Sequence, residues 1–132
     1  MIFVDSSFWI AEFISRDAHH EQAHELAQAV VSVRLVTSTH VLGETWTYLR
    51  RRTDHARAMR WLDAVRGRIA LAVERIDSGI EDEAWVWLRV HDERPYSFVD
   101  ATSFALMRKL RITEALAFDG DFASAGFVEL RP

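Results

Sequence analysis

The sequence predicts an α/β domain: a parallel sheet of four to five short strands flanked by helices in three layers. Two observations predict it. Short β-branched or aromatic runs alternate along the chain with longer segments of helical rhythm, the order that produces parallel strands joined by crossover helices. The runs themselves, Ile2, Phe3 and Val4 for example, are apolar throughout rather than at every second position, as expected of strands covered on both faces. At 132 residues the chain suits a single core, so residues 1–132 are read as one domain.

The elements follow from local pattern. Residues 2–4 form the first strand, and Phe8, Ile10, Ala11, Phe13 and Ile14 then recur at helical spacing. A second helix runs through "HHEQAHELAQAVVS", and "RLVTS" is a short β-branched strand. Two helices follow, over 39–52 and 54–67, with Gly67 as the stop of the second. "RIALAVERI" is a strand and "DSGIEDEAWVWLRVHDE" a helix, with Ser78 and Glu81 spaced as a capping box. Pro95 breaks that helix, and another starts within "SFVDATSFALMRKLR". "EALAFD" is a strand ended by Asp119, "GDFASAG" a short turn or helix, and "FVELRP" the last strand.

Composition narrows the chemistry. The formal charge of −4, from 16 basic and 20 acidic residues, gives no general basic footprint for nucleic acid. Cysteine is absent, so a metal would be held by oxygen or imidazole. The first acid stands at position 5, where a signal peptide would still be basic or apolar, and no run reaches the ~18 apolar residues of a membrane helix. A soluble, cytoplasmic protein with no membrane contact is expected.

Four acids stand where apolar residues or plain caps would be expected. Asp5 and Asp119 end strands, which a parallel sheet brings to one edge. Glu44 falls beside Val41 and Tyr48 at the margin of an apolar helical stripe, and Asp100 lies one turn before Phe104, in line with Met107. Each has a plain structural reading. Asp5 can cap the helix that follows, unless Ser6 does so; Ser97 and Asp100 have capping-box spacing; Glu44 can be a solvated flank; Asp119 with Gly120 is a turn signal. Together they imply more, because two carboxylates about 4 Å apart repel by ~4 kcal/mol at an effective dielectric of ~20. Such a group must take up protons or bind a divalent cation. Hard oxygen donors favour Mg²⁺, with Mn²⁺ able to substitute, and the chemistry that suits these ions is phosphodiester hydrolysis.

At these residues the chain resembles the PIN-domain family, and within it the VapC-type toxins of prokaryotic type II toxin-antitoxin pairs. The resemblance runs over essentially the whole chain and is carried by "FVDSSFW", "ETWTYL" and "SFVDATSFALMRKLRITEALAFDGDF". It implies a PIN-like sheet and a Mg²⁺-dependent endoribonuclease that hydrolyses RNA, is inhibited by a cognate antitoxin protein and is commonly a homodimer. Matched motif to motif, Asp5, Glu44 and Asp100 take the three main acidic positions and Asp119 the fourth, with Asp121 as the competing residue. Asp5 and Asp100 would be the principal ligands, with Glu44 and Asp119 holding a second ion or orienting the attacking water. Ser7 matches a small polar position beside the first acid. A catalytically silent PIN-like module that binds RNA or protein is the alternative.

Other features are read beside these. Arg50, Arg51 and Arg52 end a helix, where they complement its dipole or contact RNA phosphates, and Arg16 is a similar candidate. His20 and His24 have metal-pair spacing but read as a solvated helix face. The five tryptophans are assigned to the core, with Trp61 or Trp87 available for a dimer or antitoxin contact. A phosphoacceptor receiver domain needs a paired acid after the first strand and a late lysine, and a haloacid-dehalogenase-type phosphatase needs D-x-D. Ser7 and the helical Lys109 set both aside.

Overall fold

Five parallel strands form the sheet, in the order Leu71–Glu74, Leu35–Ser38, Ile2–Val4, Glu114–Leu116 and Val128–Glu129 across it. They are β1 (Ile2–Val4), β2 (Leu35–Ser38), β3 (Leu71–Glu74), β4 (Glu114–Leu116) and β5 (Val128–Glu129). Seven helices flank them: α1 (Ser6–Phe13), α2 (His20–Ala29), α3 (Thr39–Arg52), α4 (His55–Arg66), α5 (Ser78–Val90), α6 (Phe98–Leu110) and α7 (Asp121–Ser124). This computed structural model describes residues 1–132.

The central strand explains the layering. Ile2, Phe3 and Val4 are all buried although their side chains point alternately to opposite faces, so both faces of β1 are covered. The chain builds outward from β1 to β2 and β3, then crosses back to lay β4 on the other side of β1. The direction of winding therefore reverses between β1 and β4. Loops leaving the carboxyl ends of strands at such a point diverge and leave a crevice. In register, Val4 lies opposite Leu116, which sets Asp5 beside the start of the loop after β4.

Helix starts are fixed by short polar side chains. Ser38 caps α3 through the Val41 N–H at 3.1 Å, and Asp54 caps α4 through the Arg57 N–H at 2.8 Å. The Ser78–Glu81 box does not form. Asp77 sits in extended backbone and takes the Ile80 N–H at 2.9 Å, so Ser78 is already helical. Nor is Ser6 a cap: Asp5 itself starts α1, with Ser6 the first helical residue. The strand before Asp119 is also shorter than its apolar run. β1 turns into α1 at Asp5, whose N–H bonds the Leu116 carbonyl at 3.0 Å, and β4 has no ladder partner beyond that point.

The core lies on both sides of the sheet and includes Trp9 and Trp61, the second only 2% exposed and thus unavailable for a partner contact. Trp46 and Trp87 pack against the core at its edge. Trp85 departs from the core assignment: it is 56% exposed and stacks on Phe98 at 4.3 Å between ring centroids.

Candidate active site

Asp5 is held by the residues that end β1. Its Oδ2 accepts the Ser7 N–H at 3.1 Å and the Ser7 hydroxyl at 2.7 Å. The Ser7 Oγ in turn accepts the Phe118 N–H at 3.0 Å, which ties the loop after β4 to the start of α1. The Oδ1 of Asp5 is buried with no hydrogen-bond partner. Asp5 is therefore both cap and free acceptor, one oxygen serving each purpose.

The other acids arrive from three further elements. Asp100 stands in the first turn of α6, where its Oδ2 accepts the Ser97 N–H at 3.0 Å while its own N–H donates to Ser97 Oγ at 2.9 Å. The capping box is real, and it uses one carboxylate oxygen. Asp119 and Asp121 occupy the turn that follows β4, with the Asp121 N–H donating to Asp119 Oδ1 at 3.1 Å. Asp100, Asp119 and Asp121 each offer an oxygen within 4.8 Å of the others. Glu44 is half-buried on α3, between buried Val41 and exposed Tyr48. Since the turn lies past the strand end, proximity to β4 does not separate Asp119 from Asp121, and both reach the cluster.

Burial and like charge act together on these groups. Burial pushes the Asp5 carboxyl up to about 8; Asp119 and Asp100 add to this and the Ser7 hydrogen bonds oppose it. Asp119 is raised to about 6 by lost hydration, against the Asp121 N–H, with Asp121, Asp100 and Glu129 contributing negative charge. Asp100 is raised by burial; Ser97 opposes, Asp121 adds and Arg94 lowers. Glu44 is raised by burial, with Ser6 opposing and Asp100 and Asp119 adding. The fields of Asp100 and Asp119 thus reach both Asp5 and Glu44, which joins the four acids in one electrostatic unit.

An oxygen-only donor set, an orphaned buried carboxylate oxygen and mutually destabilising acids fit a hard divalent cation. Such an ion would be held by Asp5, Asp100 and Asp119, with Glu44 or Asp121 beside it. His20 and His24 do not compete for this role. Their rings lie 4.4 Å apart, but His20 Nδ1 is engaged with the Ala11 carbonyl at 2.7 Å and no acid joins them in a ligand group.

Two residues were not foreseen from the sequence. Arg94, in the loop between α5 and α6, donates through Nε to Asp121 Oδ1 at 2.8 Å and through Nη2 to the Asp119 carbonyl at 3.0 Å. Glu129 on β5 accepts the N–H groups of Gly120 and Ala123 at 3.3 and 3.1 Å. An arginine before a proline and an acid in a terminal strand carry no periodic signal, although "ERP" next to a break could have been marked as a loop poised over a strand end. Of the candidate RNA contacts, Arg16, Arg50 and Arg51 are all exposed. Arg51 lines an open cleft with His40, Glu44 and Tyr48.

The family model described as PIN domain matches residues 2–128. The chain is 54% identical to proteins named 23S rRNA-specific endonuclease VapC20 from two strains of Mycobacterium tuberculosis, CDC 1551 / Oshkosh and ATCC 25618 / H37Rv, over 100% of this chain and 99% of each relative. The crystal structure of Mycobacterium tuberculosis VapC20, described as a sarcin-ricin loop cleaving toxin, superposes with a TM-score of 0.92 at 52% identity and covers 100% of both chains. With its winding reversal, its acids at the carboxyl edge of the sheet and similarity along its whole length, the chain belongs to the PIN-domain family, among the VapC-type members.

Proposed function

We propose that the protein is a divalent-metal-dependent endoribonuclease, the toxic component of a type II toxin-antitoxin pair, and that its substrate is the sarcin-ricin loop of 23S ribosomal RNA. The observation that carries the reading is the buried, unpartnered Oδ1 of Asp5, on a carboxyl that feels the charges of Asp119 and Asp100, in a chain similar over its full length to an endonuclease of that specificity. Mg²⁺ is the proposed ion, with Mn²⁺ able to replace it, and bound here it would supply charge neutralisation for the phosphoryl oxygens and lower the pKa of an attacking water.

The chain's own residues divide the remaining work. Asp5, Asp100 and Asp119 hold the ion, the first two each with one oxygen committed to its helix cap and therefore fixed in direction. Glu44, raised above an ordinary carboxylate, is a stronger base and accepts the proton of the attacking water. Arg51, exposed beside Glu44, binds RNA phosphate, with Arg16 and Arg50 as outer contacts. A cognate antitoxin protein restrains the enzyme in the cytoplasm, and the protein acts as a homodimer.

Intact ribosomes and naked 23S RNA incubated with the purified protein test this. One discrete cut is expected with Mg²⁺, none with EDTA, and none with Asp5→Asn. Equal cleavage in EDTA, or cleavage that survives Asp5→Asn, would overturn the metal-centred reading, and a cut elsewhere in the RNA would overturn the substrate.

A further inference from the structure

Arg94 makes the only salt bridge to any of the five clustered carboxylates, and it is half-buried against the turn that carries two of them. Its guanidinium spans the turn, with Nε on the Asp121 carboxylate and Nη2 on the Asp119 carbonyl. Gly120, between those two aspartates, has φ +84°, and a Cβ there would meet Arg94 Nη2 at 3.3 Å. A side chain is thus disfavoured at position 120 both by backbone conformation and by the seat of the guanidinium. The opposite side of the turn is held by Glu129, which takes the Gly120 and Ala123 N–H groups. The Arg94 loop is itself anchored: Tyr96 donates its hydroxyl to Ser124 on α7 at 2.7 Å and its N–H to the Arg94 carbonyl at 2.8 Å.

The two aspartates therefore differ. Asp121 gives one oxygen to a charge-assisted bond with Arg94, while Asp119 gives one oxygen only to a neutral N–H and uses its backbone carbonyl, not its carboxylate, for the arginine. We infer that Arg94 is a positioning residue that assigns the two aspartates to separate tasks, engaging Asp121 as an ion-pair partner and leaving the Asp119 carboxylate to the metal. This rests on the metal-site reading given above. It accounts for why a sequence offering two acids in "FDGDF" needs an arginine beside them: without it, two nearly equivalent ligands would compete for one position.

The test is a double-mutant cycle read by Mn²⁺ affinity, measured by calorimetry and by electron paramagnetic resonance, with no RNA present. With Arg94 intact, Asp119→Asn should weaken Mn²⁺ binding by about tenfold or more and Asp121→Asn by less than about threefold. In the Arg94→Ala background Asp121 is released, and Asp121→Asn should then cost about tenfold. Arg94→Lys retains a cation for Asp121 and should restore the small effect. Arg94→Gln, which loses the charge but keeps an amide donor for the turn, replaces Arg94→Ala if thermal unfolding shows that variant to be unstable. An Asp121→Asn effect as large as that of Asp119→Asn in the unaltered protein, or one independent of residue 94, would overturn the inference. The second result would leave Arg94 a simple staple of the turn. Failure of the unaltered protein to bind Mn²⁺ would overturn the metal site together with the role of Arg94, and is distinguishable from both.

Discussion

The Ser7 hydroxyl donates to Asp5 Oδ2 at 2.7 Å while accepting the Phe118 N–H at 3.0 Å, so one small side chain joins the first acid to the loop that carries the last. Strands β1 and β4 are adjacent, but each ladder stops before the acids begin. The register of the site beyond the sheet depends on this bridge.

Ser7→Ala removes the bridge while leaving the Ser7 N–H on Asp5. The Phe118 N–H loses its acceptor, and the expected cost is about 1–2 kcal/mol of stability in urea denaturation. Single-turnover cleavage should slow by about tenfold, since Asp5 and Asp119 are no longer held in register. Unchanged cleavage with lowered stability would restrict Ser7 to a structural role.

The stability of the metal-free protein should fall as pH rises. Burial pushes the Asp5 carboxyl up to about 8 in the folded chain, against its ordinary value of 3.8 when unfolded, so between these values the folded state retains a proton that the unfolded state has lost. Raising pH therefore favours unfolding across the window from about 4 to about 8, and the contribution of this group levels off above it. Excess Mg²⁺ should reverse the slope, because the ion binds the deprotonated acids. Melting temperature against pH, with EDTA and with Mg²⁺, reads both trends.

Asp5→Asn should separate stability from function. The amide keeps an oxygen for the Ser7 donors and cannot ionise, so the metal-free variant at pH 8 should gain roughly 1–2 kcal/mol and melt a few degrees higher. Cleavage should disappear. A variant that is inactive and also less stable than the unaltered protein would mean that the buried carboxylate is not a strained group.

Arg51 lines the cleft beside Glu44 and is exposed. Arg51→Ala should raise KM several-fold with little change in kcat and reduce the slope of log affinity against log salt by about 1. A change in kcat alone would move Arg51 from phosphate binding to the chemical step.

The sheet and most helices were legible because their signals are local. The apolar helical stripe beside Glu44 marked the helix over 39–52 that is α3, and uninterrupted apolar residues marked β1 as buried on both faces. The Ser78–Glu81 spacing misled because Asp77, one residue earlier, is an equally good cap and is the residue held in extended backbone. The extent of β4 was misjudged for a nonlocal reason: a strand ends where its partner does, and β1 ends at Val4. Among the candidate site residues, Asp5, Glu44, Asp100 and Asp119 were legible as acids out of place in their patterns. Arg94 was not, because its meaning lies in a contact 27 positions away that no period or spacing announces.

The reversal of winding between β1 and β4 has a bearing on when the enzyme becomes dangerous. Asp5 and Glu44 are made early, but they gain Asp119 and Asp121 as neighbours only after the chain has crossed the sheet and β4 has paired with β1. A growing chain that has not yet reached α6 holds only Asp5 and Glu44 of the candidate acids and no assembled site. Strand order thus delays the onset of catalysis until β4 has paired with β1, so a nuclease built on this plan stays harmless through most of its own synthesis.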